Sequence, residues 1–240
     1  MREFTYSRAV TLQEALTRIA PLANGKFLGG GTNLIDLMRE NIERPDTVID
    51  VTRLSSGISE SPDGGVSIGG EVRNSAVANH PLIRERYPML SQAILNGASG
   101  QIRNMATVAG NIMQRTRCYY FYDDAANCNK RSPGSGCDAI DGFNRIHAIL
   151  GASERCIATH PSDMCVALAA LDATVNIESA VGKRTIPFNS FHCLPGETPH
   201  VETVLAHDEL ITSVELPPLP FAKRSIYAKC AIARAMPSPW

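Results

Sequence analysis

Four cysteines, Cys118, Cys128, Cys137 and Cys156, fall in one stretch of the chain, with nine, eight and eighteen residues between successive members. Four thiolates can hold a metal centre. Zinc ribbons and fingers use pairs spaced C-x2-4-C, which this stretch lacks, whereas scattered thiolates suit a [4Fe-4S] cube better. On spacing alone a metal centre, structural free thiols and disulfides all stay open. Residues 115–144 are poor in apolar periodicity and rich in Arg, Asp, Asn, Pro and Gly, so a loop this long needs something to order it. Cys118 follows a predicted glycine-asparagine turn, Gly110-Asn111, by seven residues, which suggests a cluster beside a second cofactor. The other thiols read as ordinary: Cys165 lies in the apolar helical run 164–171, where a buried inert thiol is expected, and Cys193 and Cys230 carry no pattern.

The second chemical signal is Gly29-Gly30-Gly31, followed by Thr32-Asn33. Three glycines between a strand and a helix let backbone approach a bulky ligand, and the amides there can cradle phosphate oxygens. The run is neither G-x-G-x-x-G nor a P-loop, and by itself a tight structural turn explains it equally well. Further clusters at 97–104, 107–111 and 158–163 set small residues beside hydrogen-bonding ones, as a close-fitting polar cofactor demands. Each alone is an ordinary loop, and His160 alone reads as a structural histidine. No Ser, His and Asp set has nucleophile-elbow spacing, which leaves hydrolase chemistry unsupported.

The elements that must position these groups are legible. Residues 4–6, 26–28 and 47–51 read as strands, with helices opened by Thr11 through a capping box and by the glycine triplet through Leu34, Ile35, Leu37 and Met38. After a hairpin-like turn at 61–65, strand 66–68 begins a second lobe with helices at 75–80, around 89–94 and at 162–171, where Ser162 is a plausible N-cap. Strands 174–178 and 183–186 pair across the turn 179–182. At 240 residues and 44% hydrophobic, the chain can bury a core for two lobes. Its 23 basic against 24 acidic residues give no basic field, which argues against nucleic acid or an anionic membrane as partner. No apolar run reaches a membrane span, residues 1–20 lack the apolar core of a signal peptide, and the chain by itself reads as cytoplasmic.

Together, Lys26-Phe27-Leu28-Gly29-Gly30-Gly31-Thr32-Asn33-Leu34, Thr107-Val108-Ala109-Gly110-Asn111, Thr159-His160-Pro161-Ser162-Asp163 and Asp208-Glu209-Leu210-Ile211 resemble the FAD-binding subunits of the molybdenum hydroxylase (xanthine dehydrogenase) family over residues 1–229. The cysteine loop narrows the resemblance to aldehyde oxidoreductases of the periplasm whose flavin subunit carries its own [4Fe-4S] cluster. The resemblance implies an α+β fold with α/β lobes, a two-lobed PCMH-type domain like the carbon monoxide dehydrogenase flavoprotein. Its expected divisions are a first lobe at 1–58, a second at 59–218 with the iron-sulfur loop at 115–156, and the start of a C-terminal domain at 219–240.

Residue by residue, the resemblance implies that 26–34 wrap the FAD pyrophosphate. Gly100, Gln101 and Asn104, with Thr107, Gly110 and Asn111, form a second wall. Ser162 is among the cofactor-binding residues, Asp163 sits near the ribityl and adenosine portion, Leu210 or Ile211 touches the flavin, and Lys229 lies near the isoalloxazine, where a cation favours a reduced, anionic ring. Cys118, Cys128, Cys137 and Cys156 hold the cluster. The implied function is electron relay in a heterotrimer: a molybdopterin subunit oxidises an aldehyde or heterocycle, a [2Fe-2S] subunit passes electrons on, and FAD delivers them to oxygen or another acceptor. No residue here would touch the aldehyde.

Family members continue past the Tyr-x-Lys element with a further C-terminal domain, whereas this chain stops at Trp240. One nucleotide inserted after a back-translated Lys229 codon restores a family-like continuation, so the tail 230–240 reads as frameshifted and the third domain as truncated. Two rival readings stand: a zinc- or thiol-stabilised binding module without redox role, and a stand-alone flavin reductase using a nicotinamide, for which no second fingerprint is visible. The resemblance implies a periplasmic location by co-export with a partner bearing a twin-arginine signal.

Overall fold

Apolar residues between positions 9 and 51 close a small parallel sheet. The structure, a computed structural model, describes residues 1–54 and 57–230, so most of the tail singled out above lies outside the described residues. β1 (Thr5–Arg8) leads into α1 (Leu12–Ile19). The Thr11 side chain caps α1 by accepting from the Glu14 N–H, and Glu14 reaches back to the Val10 N–H at 2.7 Å, a capping box whose return arm lands one residue early. β2 (Gly25–Leu28), α2 (Leu34–Arg39) and β3 (Thr47–Asp50) follow, and β3 pairs in parallel with both other strands in the order β1-β3-β2. Central β3 buries Val48 and Ile49 completely, as a parallel strand covered on both faces must. Burial opposes the charge of Asp50 at its end, but hydrogen bonds from Thr52, Tyr6 and Arg8 outweigh it and hold the carboxyl well below the usual range.

β4 (Ile58–Glu60) and β5 (Val66–Gly69) form the expected hairpin, with Gly64 at φ 86° in its turn. Ile58 already pairs with Ile68 in the larger sheet, at the edge of the expected first lobe. A run of short helices comes next: α3 (Asn74–Asn79), α4 (Pro81–Arg86), α5 (Pro88–Asn96), α6 (Gly100–Met105), α7 (Val108–Ile112) and α8 (Tyr119–Tyr122). After the cysteine loop come α9 (Asp163–Ala170), β6 (Thr174–Ser179), β7 (Gly182–Pro187) and β8 (Leu210–Leu216). The second sheet is antiparallel, ordered β4-β5-β8-β6-β7, and its apolar face meets α3, α5 and α9 in a core of Ile68, Leu90, Ile94, Met164, Leu168, Val175 and Val214. Burial of these side chains contributes roughly 1.5 to 3 kcal/mol each.

One expectation fails locally. Gly110 and Asn111 are not a turn but lie inside α7, because the Thr107 hydroxyl accepts from the Gly110 N–H and caps a helix there. Ser99 caps α6 in the same way through the Ile102 N–H, so the polar cluster before it is helical too. Among the described residues, no helix is long and apolar enough to cross a membrane.

Candidate functional site: a glycine-lined cleft and a cysteine loop

A cleft of about 460 Å³ opens between the two sheets. Its floor is the end of β2 and the glycine triplet, Lys26, Phe27, Leu28, Gly29, Gly30, Gly31, Thr32, Asn33 and Leu34; across it stand Thr107 and Gly110, with Leu210 and Ile211 from the start of β8. The triplet is doubly constrained. Gly31 holds φ 76°, while a methyl on Gly30 would collide with the Met105 carbonyl and one on Gly29 would lie 2.7 Å from the Thr107 hydroxyl. Gly30 therefore lets the lobes meet backbone to backbone and Gly29 lets the Thr107 side chain approach, a packing role beside the two readings, ligand approach and tight turn, that the sequence left open.

Asn33 shows that the cleft is built for a polar guest. Its Oδ1 accepts from the Arg115 N–H at 2.9 Å, yet its Nδ2 is buried and has no partner within the protein. An orphaned buried donor costs about 1 to 3 kcal/mol, and an acceptor entering the cleft would satisfy it. Glu71 also faces this space and lies near Gly29; burial pushes its carboxyl up to about 7, partly offset by Arg73. Sequence reasoning missed Glu71, Glu43 and Glu202, which line the cleft without occupying any motif.

The remaining expected residues gather elsewhere. Asn111 accepts from the Ser162 hydroxyl at 2.6 Å, which ties α7 to the cap of α9. Asp163 accepts from the Tyr227 hydroxyl at 2.6 Å and pairs with the Lys229 ammonium at 3.0 Å, so these two expected site residues meet each other away from the cleft lining. Gly100, Gln101 and Asn104 lie exposed on α6, likewise outside that lining.

The cysteine loop carries little regular structure, only α8 and isolated bridges, and side chains replace the ladder. Buried Asn129 accepts from the Gly134 and Gly136 N–H groups at 3.1 and 2.9 Å and donates to the Arg155 carbonyl at 3.0 Å. Both glycines adopt positive φ, 86° and 101°, to present those amides. Arg131 donates to the carbonyls of Tyr120 and Phe121, both at 2.9 Å. Within this scaffold all four cysteines are free thiols; Cys128 faces Cys137 across an antiparallel bridge, and Cys118 and Cys156 each sense both electrostatically. Burial pushes the Cys118 and Cys156 thiols up, which disfavours bare thiolates and suits ligands that ionise on binding metal. His147 Nε2 lies 3.1 Å from Cys118 Sγ, and the Ala158 N–H donates to Cys156 Sγ at 3.5 Å.

Arg115 joins the two regions. Its guanidinium binds Glu202 at 2.5 Å and Glu43 at 2.6 Å and stacks 4.6 Å above the Phe121 ring, while Lys130 adds a bond to Glu202 at 3.0 Å. Leu37 and Ile42, from α2 and the residues after it, pack with Cys118, Phe121 and Cys128, so the loop rests on the helix that the glycine triplet opens.

Residues 2–219 match the family described as the FAD binding domain in molybdopterin dehydrogenase. The chain belongs to that family. Members similar to it include the aldehyde oxidoreductase FAD-binding subunit PaoB of Escherichia coli (strain K12), 52% identical over 231 residues, covering 95% of this chain and 72% of PaoB. The glyceraldehyde dehydrogenase medium chain of Sulfolobus acidocaldarius is 27% identical over 95% of this chain and 64% of its own length. Among solved structures, carbon monoxide dehydrogenase from Hydrogenophaga pseudoflava shares the fold, with a TM-score of 0.65 at 22% identity over 91% of this chain and 60% of that one. The chain thus spans roughly six-tenths to seven-tenths of these relatives' own lengths. Family membership makes this an FAD-binding flavoprotein domain of oxidoreductases, and the cleft, lined by the glycine triplet and by the orphaned Asn33 amide, fits such a ligand.

Proposed function

We propose that this chain is the FAD-binding electron-transfer subunit of a molybdenum-dependent aldehyde oxidoreductase, working with a molybdopterin-bearing large subunit and a [2Fe-2S] small subunit in a heterotrimer. The observation that carries the flavin half is the unpartnered Asn33 Nδ2 beside the glycine triplet. Asn33 and the amides of 29–32 would hold the pyrophosphate, and Leu210 and Ile211 would cover the ring and exclude water. Bound FAD supplies the ring that accepts and passes on electrons. Similarity to PaoB supports an aldehyde as the complex's substrate.

The proposal extends to a [4Fe-4S] cluster on Cys118, Cys128, Cys137 and Cys156. Four free thiols, three of them (Cys118, Cys128 and Cys137) packed in one cluster, in a loop with no ladder to order it, support this reading over a disulfide scaffold. His147 and the Ala158 amide would donate to two of the sulfurs. The division at 1–58, 59–218 and 219–240, the placement of Asp163 and Lys229 near the flavin, and export to the periplasm with a twin-arginine partner carry over as parts of the same proposal.

The test is an anaerobic visible spectrum with flavin and iron analysis, before and after Cys128→Ser and Cys137→Ser. Bound FAD plus about four irons per chain, with the iron lost and the flavin kept in the variant, is expected. A colourless zinc-bearing protein would replace the relay with a metal-stabilised binding module.

A further inference from the structure

His160 and Cys165, which read as ordinary in the sequence, meet His192 beside the cleft, whose lining includes the two histidines. The donor atoms of His160, Cys165 and His192 all lie within 4.8 Å of one another. Among the described residues this is the one group of three or more His, Cys, Asp or Glu side chains gathered so tightly. A backbone group completes it: Nε2 of His160 is 3.2 Å and Nε2 of His192 is 3.1 Å from the Ile112 carbonyl oxygen. The rings stand 4.4 Å apart at 52°. Each donor comes from a different part of the fold, namely the approach to α9, its first turn, the end of α7 and the segment after β7.

We propose that His160, His192 and Cys165, with the Ile112 carbonyl, form a binding site for a thiophilic divalent transition metal, zinc in the resting protein. The geometry is already near that of a tetrahedral ion. Bond lengths of about 2.0 to 2.3 Å place the donors of such an ion about 3.3 to 3.8 Å apart. The two imidazole-to-carbonyl spacings, 3.2 and 3.1 Å, fall just below that range, and the side-chain donors, within 4.8 Å of one another, would adjust around the ion as it binds. Chemistry selects the ion: imidazole and thiolate suit zinc, cobalt or copper, whereas calcium and magnesium take oxygen donors.

Binding balances in charge and protons. Two neutral imidazoles and one thiol accept a dication, and the Cys165 proton leaves to solvent. The proton on each Nε2 shifts to Nδ1, and for His160 the Gln114 backbone supplies a further acceptor of the kind that orients metal-bound histidine. The metal would clamp α7, α9 and the segment after β7 together along one wall of the cleft. This site is separate from the cysteine loop and independent of whether that loop holds iron.

The test uses the full chain, with its flavin and iron content recorded, titrated anaerobically with Co(II) and then back-titrated with Zn(II). About one equivalent of Co(II) is expected to give thiolate charge-transfer and tetrahedral d–d bands, displaced by zinc. The bands should persist in the Cys128→Ser, Cys137→Ser double variant and vanish in Cys165→Ala, with His192→Ala weakening binding by about tenfold or more. Cys165→Ala retains a small apolar side chain, and its unfolding temperature without metal checks that it folds; zinc should raise that temperature in the unmodified protein and not in the variant. Bands that survive Cys165→Ala, or an unmodified protein that shows none, would overturn the proposal.

Discussion

The cleft and the cysteine loop solve the same problem, holding chemical groups still, in opposite ways. The cleft is made where regular elements end: β2 runs into the glycine triplet, Thr107 caps α7, and β8 begins at Leu210. Backbone does the positioning there, and the unmet demand is one side-chain amide on Asn33. The loop has almost no ladder, and Asn129, Arg131 and Asp138 bind backbone groups one at a time. A site on element ends is rigid before its ligand arrives, whereas one held by scattered side chains gains much of its order from what it binds.

Removing the joint between them should have the largest effect. Arg115→Ala removes the cation that Glu43 and Glu202 share, leaving Glu202 with Lys130 and Glu43 with the more distant Lys26, and the lost charge-assisted bonds should cost about 2 to 3 kcal/mol in a denaturant titration, with the content of flavin and of any bound iron both falling. If only one cofactor falls, the two regions are not joined through this residue. Gly30→Ala acts on the cleft alone. Its methyl meets the Met105 carbonyl, so FAD affinity should drop by about 100-fold in a fluorescence titration while the loop's metal content is retained.

Asn129→Ala is the mirror experiment. Two glycine amides and one carbonyl lose their partner, which should loosen the loop by about 2 kcal/mol, seen as faster amide exchange at 128–137 and loss of iron with flavin retained. The smallest effect is a pH dependence. Glu71 has its folded pKa raised from 4.5 to about 7, so the folded chain holds the extra proton in that window and the residue's contribution to stability declines as pH rises through it. Its charge then faces an anionic pyrophosphate, and FAD binding should weaken by less than about tenfold between pH 6 and pH 8. Glu71→Gln should flatten that profile; an unchanged slope would place the titration elsewhere.

What the sequence made legible follows the same division. Thr11 with Glu14, the turn at Gly64 and the Ser162 cap are local signals, each satisfied within a few residues, and each stands where its pattern pointed, whereas the contacts that fix Gly29 and Gly30 come from Thr107 and Met105. α6 and α7 were hidden because glycine and polar residues read as loop until Ser99 and Thr107 are seen to cap them. β8 was hidden as a strand because its partners, β5 and β6, are distant in sequence on either side of the helices. Arg115 lies 72 and 87 residues from its two carboxylates, and no spacing rule connects them. His192 meets His160 only through the sheet's return.

The bond from the Ser162 hydroxyl to Asn111, 2.6 Å long and spanning 51 positions, pinches the chain where the cysteine loop leaves and returns. Everything between is an appendix with a closed neck. Such a segment can be gained or lost in one step without rethreading the sheets, because its ends already touch. A chain cut at 114 and 160 and rejoined by a short flexible link should therefore keep α7 and α9 in register. The cysteine loop is thus separable from the scaffold that forms the cleft, its neck held by a bond that both sides of the cut retain.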